Sequence, residues 1–350
     1  MNTLNAIRIF VPAMLAFAVG IASTPLLTHF LYKYKMWKPK SGKVALDGKP
    51  AETFNRLHAQ KEVGTPRLGG IVVWGSVLIA AALLSLGELI FPNTFGHLAF
   101  ISRNQTWVPF AALLAGSFVG FFDDLFEVQG KQGLPLRVRL GMVGVISFLC
   151  AWWFYDKLDV SSISFPFHQP LELGVWFIPF FVLVALCVYA GGVIDGLDGL
   201  AGGIFATIFA AYASIALFQN QMDLAALSAA IAGGLLAFLW FNIPPARFYL
   251  SETGTMGLSL ALVVIAFLTD VIGEGKGVTV LPIIGILLVV TVASNMLQIL
   301  SKKVLGKKML RIAPLHHHFE ALGWPSYKVV MRYWIVGVVA AIIGMSIALF

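Results

Sequence analysis

Four short stretches concentrate side chains able to do chemistry. They are V-G-F-F-D-D-L-F-E at 119–127, A-G-G-V-I-D-G-L-D-G-L-A-G-G at 190–203, F-N-I-P-P-A-R-F-Y-L-S-E-T-G-T at 241–255 and A-P-L-H-H-H-F-E-A-L-G-W-P at 313–325. Asp123 and Asp124 are adjacent carboxylates that repel unless a cation or arginine neutralises them. They suit either a divalent cation or the removal of a proton from an attacking phosphate, and Arg137 and Arg139 follow closely enough to answer their charge. Asp195 and Asp198 are spaced i, i+3, so a helical segment would put both on one face. The glycines around them allow the backbone to approach a phosphate or nucleotide closely. Glu252 follows the break at Pro244 and Pro245, and Phe248 and Tyr249 offer flat faces on which a base could stack. At His316, His317 and His318, three consecutive imidazoles cannot all reach one ion from a regular helix. Zinc sites usually space their ligands more widely, so this segment reads as a loop that binds an anionic, hydrogen-bonding substrate.

The elements that carry these groups are apolar. Of 350 residues, 59% are hydrophobic and 12% charged, and the mean hydropathy is +0.86; soluble domains are about one-quarter charged. Ten apolar runs are long enough to cross a bilayer, at roughly 7–32, 69–91, 106–122, 138–155, 173–191, 199–218, 224–243, 255–272, 278–301 and 331–349. Helices are the simplest element that satisfies its own backbone in lipid. The expectation is an all-α polytopic membrane bundle, a single integral domain over 1–350. The first run reads as a span and not as a cleavable signal, because its core is too long and lacks a basic leader.

Charge placement predicts orientation. All of the 24 basic residues except Arg8, Arg103, Lys157 and Lys276 fall in connections after odd-numbered helices. The positive-inside rule makes that side cytoplasmic and puts both termini outside. Asp123, Asp124, Asp195, Asp198 and Glu252 then lie at the cytoplasmic mouths of helices, where a carboxylate is costly unless paired or bound to a cation. The net charge of +7 reflects topology and contact with anionic lipid, and no nucleic-acid partner is expected. Cys150 and Cys187 sit inside apolar runs and read as packing residues.

The motifs resemble those of the polyprenyl-phosphate sugar-1-phosphate transferases, and most closely the phospho-N-acetylmuramoyl-pentapeptide-transferase branch, the MraY type. The family's G-T-P-x-x-G-G stands at 64–70, F-x-D-D at 121–124, D-G-L-D-G-L at 195–200, L-W-F-N at 239–242 and A-P-x-H-H-H-x-E with G-W-P at 313–325. The resemblance implies a Mg²⁺-dependent transfer in which undecaprenyl phosphate attacks UDP-N-acetylmuramoyl-pentapeptide, giving lipid I and UMP. It implies Asp123 or Asp124 as base, Asp195 and Asp198 as shapers of the nucleotide pocket, and Glu252 with Asp195 at the metal. It further implies Tyr249 stacking on uracil, Asn242 and His316 to His318 at the substrate, and Lys61 and Arg139 on phosphates. The expected partners are the bilayer and the two substrates, with a homodimer left open.

Four positions depart from the family pattern. Glu252 stands where aspartate is usual, Tyr189 and Gly192 replace two asparagines, and Glu127 replaces a basic residue. They leave a transferase using UDP-N-acetylglucosamine as the nearer alternative, which the triple histidine disfavours. A transporter or scaffold is more distant, since transporters place polar groups at mid-membrane in repeated halves and here the acids gather at one face.

Overall fold

A computed structural model describes residues 3–39, 63–102, 105–131, 133–166, 168–270, 272–273 and 275–349. Among these residues, ten helices are long and apolar enough to cross a membrane. The elements are α1 (Thr3–Lys33), α2 (Gly70–Ile90), α3 (Trp107–Val128), α4 (Leu136–Lys157), α5 (Phe177–Gly191), α6 (Leu200–Phe218), α7 (Met222–Asn242), α8 (Ser251–Leu268), α9 (Gly277–Ile284), α10 (Ile286–Leu305), α11 (Leu315–Ala321) and α12 (Ser326–Leu349). The described strands are one minimal antiparallel pair, Ser162–Ile163 against Leu171–Glu172. The chain is an all-α, multi-pass membrane protein.

The bundle is arranged around α8. Within its apolar window 94% of residues are buried, against 22% for α1 and 33% for α12. The peripheral helices instead turn side chains such as Met14, Leu89 and Ile335 outward, as a lipid-facing surface requires. Burial of α8 depends on small residues, because helices in lipid associate through close packing and not through exclusion of water. A Cβ on Gly116 of α3 would lie 2.8 Å from the Cα of Gly257 on α8, and one on Gly120 would run into the carbonyl of Glu252. These glycines let the end of α3 abut the start of α8. At the opposite end, the Phe267 ring of α8 packs on Phe181 of α5 at 4.3 Å and on Phe177 at 5.4 Å. Each such pair contributes about 0.5–1.5 kcal/mol beyond its burial.

Four boundaries differ from the sequence expectation. The third helix runs on to Val128, so the paired aspartates sit inside its final turns. The eighth begins at Ser251 and carries Glu252 in its first turn. The run at 278–301 is divided at Gly285 into α9 and α10, with Pro282 just before the break. The last helix begins at Ser326. Hydropathy understates polar helix ends, since an amide backbone continues its hydrogen-bond ladder past the last apolar residue.

Candidate active site

A cavity of about 940 Å³ opens where the ends of α3, α5 and α7 meet the starts of α4 and α8. Its wall includes Arg139, Asp195, Asp198, Tyr249 and Glu252 from the predicted set. It also includes Lys38, Thr65, Arg67, Glu127, Tyr189, Asn295, Ser326 and Tyr327. Leu136, Leu140, Val193, Val292 and Met296 make one side apolar. Charged residues from five separate stretches of the sequence are thus gathered on one wall.

Backbone and side chains from distant parts of the sequence hold this mouth together. Tyr249 donates its N–H to the Pro66 carbonyl and accepts from the Gly69 N–H, both at 2.9 Å, and the Gly70 N–H donates to Leu250. The G-T-P-R-L-G-G segment is therefore stitched along 249–250. Ser251 follows with φ +52°, a strained backbone for a residue with a side chain. Four hydrogen bonds compensate. Its N–H donates to Asp195 Oδ2 at 2.7 Å, its hydroxyl donates to Asp124 Oδ2 at 2.7 Å and accepts from the Leu68 N–H at 3.2 Å, and its carbonyl accepts from Thr255.

Asp195 and Asp198 do not share a helical face as expected. A 3₁₀ turn at Gly192–Ile194 ends at Asp195, and Gly199 takes a left-handed φ of +80° before α6. The turn nevertheless brings both carboxylates to the cavity, and Asp198 Oδ2 accepts from the Ala246 N–H at 3.3 Å. Asn242 is buried away from the wall. Its Oδ1 accepts from the Gly199 N–H at 2.9 Å and its Nδ2 donates to the Phe248 carbonyl at 2.8 Å, so it clamps the aspartate turn to the 243–250 loop.

The two adjacent aspartates of α3 occupy different settings, and neither lies on the cavity wall. Asp124 is fully buried; Arg67 donates to its Oδ1 at 3.1 Å, and Ser251 Oγ, Thr253 N–H and Thr253 Oγ1 converge on its Oδ2 at 2.6–2.8 Å. Asp123 accepts from the Leu134 N–H at 2.5 Å and lies 3.5 Å from Arg139 Nη1. That same nitrogen donates to Glu252 Oε1 at 2.5 Å, and Arg139 does line the cavity. Glu127 pairs with Arg67 and with Lys38 Nζ, the latter at 3.1 Å. The charge reversal at 127 is therefore matched by two cations.

The histidines stand behind the wall. His316 and His317 are buried on α11, and a Cβ on Gly196 would lie 2.5 Å from His316 Nε2 and 2.7 Å from His317 Nε2. His317 Nδ1 meets Glu320 Oε2 at 2.8 Å, and Ser326 Oγ donates to Glu320 Oε1 at 2.6 Å. His318 turns away, its Nδ1 accepting from the Arg311 N–H. The motif thus braces the Asp195–Asp198 turn from beneath. Lys61 lies outside the described residues.

Among the described residues, no three His, Cys, Asp or Glu side chains cluster as a protein-only metal cage. That donor set still fits Mg²⁺, which takes one or two carboxylates and completes its shell with water and substrate phosphate. Asp195 and Glu252 both face the cavity, and a cationic group already sits between Glu252 and Asp123.

Sequence reasoning missed Asn295, Ser326 and Tyr327 as wall residues. Asn295 did carry a signal, an amide within the apolar run V-T-V-A-S-N-M-L, whereas Tyr327 is marked only by its place after G-W-P.

Comparison with known proteins agrees with the motifs. The profile of glycosyl transferase family 4 matches residues 106–270. A phospho-N-acetylmuramoyl-pentapeptide-transferase of Thermoanaerobacter sp. (strain X514) is 35% identical over 338 residues, covering 95% of this chain and 96% of the relative. That of Listeria monocytogenes serovar 1/2a is 34% identical over 342 residues, covering 96% of each. That of Caldanaerobacter subterraneus subsp. tengcongensis is 32% identical over 340 residues, covering 96% and 98%. With near-complete coverage at this identity, the chain belongs to the phospho-N-acetylmuramoyl-pentapeptide-transferase family and carries the glycosyl transferase family 4 region within it.

Proposed function

We propose that this protein transfers phospho-N-acetylmuramoyl-pentapeptide from its UDP conjugate to undecaprenyl phosphate, giving lipid I and UMP in peptidoglycan synthesis. The active face is directed to the cytoplasm of the cell membrane, as the bias of basic loops predicts. The observation that carries the reading is the convergence of Arg139, Asp195, Asp198, Tyr249 and Glu252 on one cavity that also has an apolar side. A charged donor and a greasy acceptor need such a mixed wall.

In this reading an oxygen of the acceptor phosphate forms a bond to the β-phosphorus of the donor, and the bond from that phosphorus to the UMP oxygen breaks. Phosphoryl transfer depends mainly on positioning and charge neutralisation. Arg139, Arg67 and Lys38 line the cavity and supply the cations. Tyr249 stacks on the uracil, while Asp195 and Asp198 order the nucleotide end through the 243–251 backbone. Asp195 and Glu252 would hold Mg²⁺, which when bound would offset the charge developing on the departing UMP. Asp123 is taken as the base because it lies beside Arg139, which lines the cavity, whereas Asp124 is held by Arg67, Ser251 and Thr253. An alkyl phosphate loses its second proton at a pH of about 6, so the base has most to do in mildly acidic conditions.

The test is transfer of label from the donor into an organic-extractable lipid, with and without EDTA. The reading expects Mg²⁺-dependent labelling that Asp195→Asn removes in a folded protein. Labelling that survives both EDTA and that substitution contradicts it.

A further inference from the structure

We infer that Tyr189 is a positioning residue for Glu252, and that the two side chains act as a length-matched pair. The Tyr189 hydroxyl donates to Glu252 Oε2 at 3.1 Å, while Arg139 Nη1 donates to Oε1 at 2.5 Å. Both oxygens of the carboxylate are thereby directed. The phenol makes a rigid post: Tyr189 sits near the end of α5, is 6% exposed, and presents its polar end to the cavity. Glu252 needs such a post. It lies in the first turn of α8, immediately after the strained Ser251, and its side chain has three rotatable bonds.

The match in length is specific to this pair. Aspartate at 252 would withdraw both oxygens by about one carbon–carbon bond, roughly 1.5 Å. A 3.1 Å hydrogen bond would not survive that retreat. Phenylalanine at 189 would leave Oε2 undirected and the carboxylate free to follow Arg139 alone. Tyr189 and Glu252, two of the positions at which the sequence departs from the pattern it resembles, are therefore in contact. The inference rests on the proposed Mg²⁺-dependent reaction for its purpose, which is to aim Glu252 at the metal. The pairing itself rests on geometry alone.

The experiment uses full-length protein in detergent, with Mn²⁺ alone as the probe and bound ion counted by electron paramagnetic resonance. Tyr189→Phe, Glu252→Asp, the double variant and Glu252→Ala are compared with the unaltered chain after their melting temperatures have been matched. A group that orients a metal ligand typically contributes about ten- to a hundredfold in metal affinity. Tyr189→Phe is expected to weaken Mn²⁺ binding about tenfold, and the double variant to bind no worse than Glu252→Asp. In UMP release, the Mg²⁺ concentration for half-maximal rate should rise in parallel while the donor KM stays unchanged. Unaltered Mn²⁺ affinity in Tyr189→Phe overturns the inference, as do losses that multiply in the double variant. It is also overturned if the unaltered chain binds Mn²⁺ no better than Glu252→Ala. The expected Mn²⁺ pattern in a protein that releases no UMP would support the pairing and count against the proposed reaction.

Discussion

Asp124 and Thr253 lock α3 to α8: both the N–H and the hydroxyl of Thr253 donate to the same oxygen, Asp124 Oδ2, at 2.8 and 2.6 Å. The contact puts a fully buried carboxylate at the helix N-terminus, where an anion is favoured. Removing it strands the Ser251 and Thr253 donors. Asp124→Ala is expected to destabilise the protein by about 3–5 kcal/mol, the usual cost of breaking a buried charged network. Thr253→Val, which keeps the backbone donor, should cost about 1–2 kcal/mol. Thermal unfolding in mild detergent checks the order; equal stability of both variants with the unaltered chain would make the contact incidental.

Asp123 should behave differently. In the proposed reaction it removes a proton from the acceptor phosphate, whose second ionisation lies at about 6. Below that pH the proton must be taken off; above it the phosphate already carries two charges. The deficit of Asp123→Asn relative to the unaltered enzyme is therefore expected to be largest near pH 6 and to shrink toward pH 8. A pH–rate profile of both proteins decides this, and a deficit independent of pH would remove the base assignment.

Arg139 uses one nitrogen for both Glu252 and Asp123, and in the proposed reaction its guanidinium, which lines the cavity, also meets the substrate phosphates. Lysine can replace the charge but not the guanidinium's further donors. Arg139→Lys is expected to lower kcat/KM by about ten- to a hundredfold, as loss of a charge-assisted hydrogen bond does. Steady-state kinetics with varied donor would show it.

Gly196 is the thinnest point between the aspartate turn and the histidines. A methyl group there would press on His316 and His317, at 2.5 and 2.7 Å from their Nε2 atoms. Gly196→Ala should push the turn toward the cavity and displace Asp195, and a shift of about 1 Å can cost about a hundredfold in rate. Kinetics beside a melting curve would separate this from unfolding.

Much of this architecture was legible in the chain. Ten apolar runs announce ten spans, and the acids and bases at their ends announce the working face. What lay beyond reading was which polar groups face the substrate and which face the fold. Asn242, expected at the substrate, bonds Gly199 and Phe248; Asp124, expected beside Asp123, bonds Ser251 and Thr253 across to α8. Each assignment depends on pairs far apart in sequence, such as Gly116 with Gly257 and Asp124 with Thr253, whose juxtaposition no local pattern records. The turn at Asp195–Asp198 escaped for a local reason, since Gly199 leaves the helical basin and the i, i+3 argument presumes a helix. The contact between Tyr189 and Glu252 joins two positions that look, in sequence, like unrelated departures.

The donor and the product define the proposed reaction. Purified protein with undecaprenyl phosphate and Mg²⁺ should be given UDP-N-acetylmuramoyl-pentapeptide and UDP-N-acetylglucosamine in parallel, and the UMP released should be measured. UMP is expected from the muramoyl donor alone. Release from the N-acetylglucosamine donor only, or from neither in a folded sample, would contradict it.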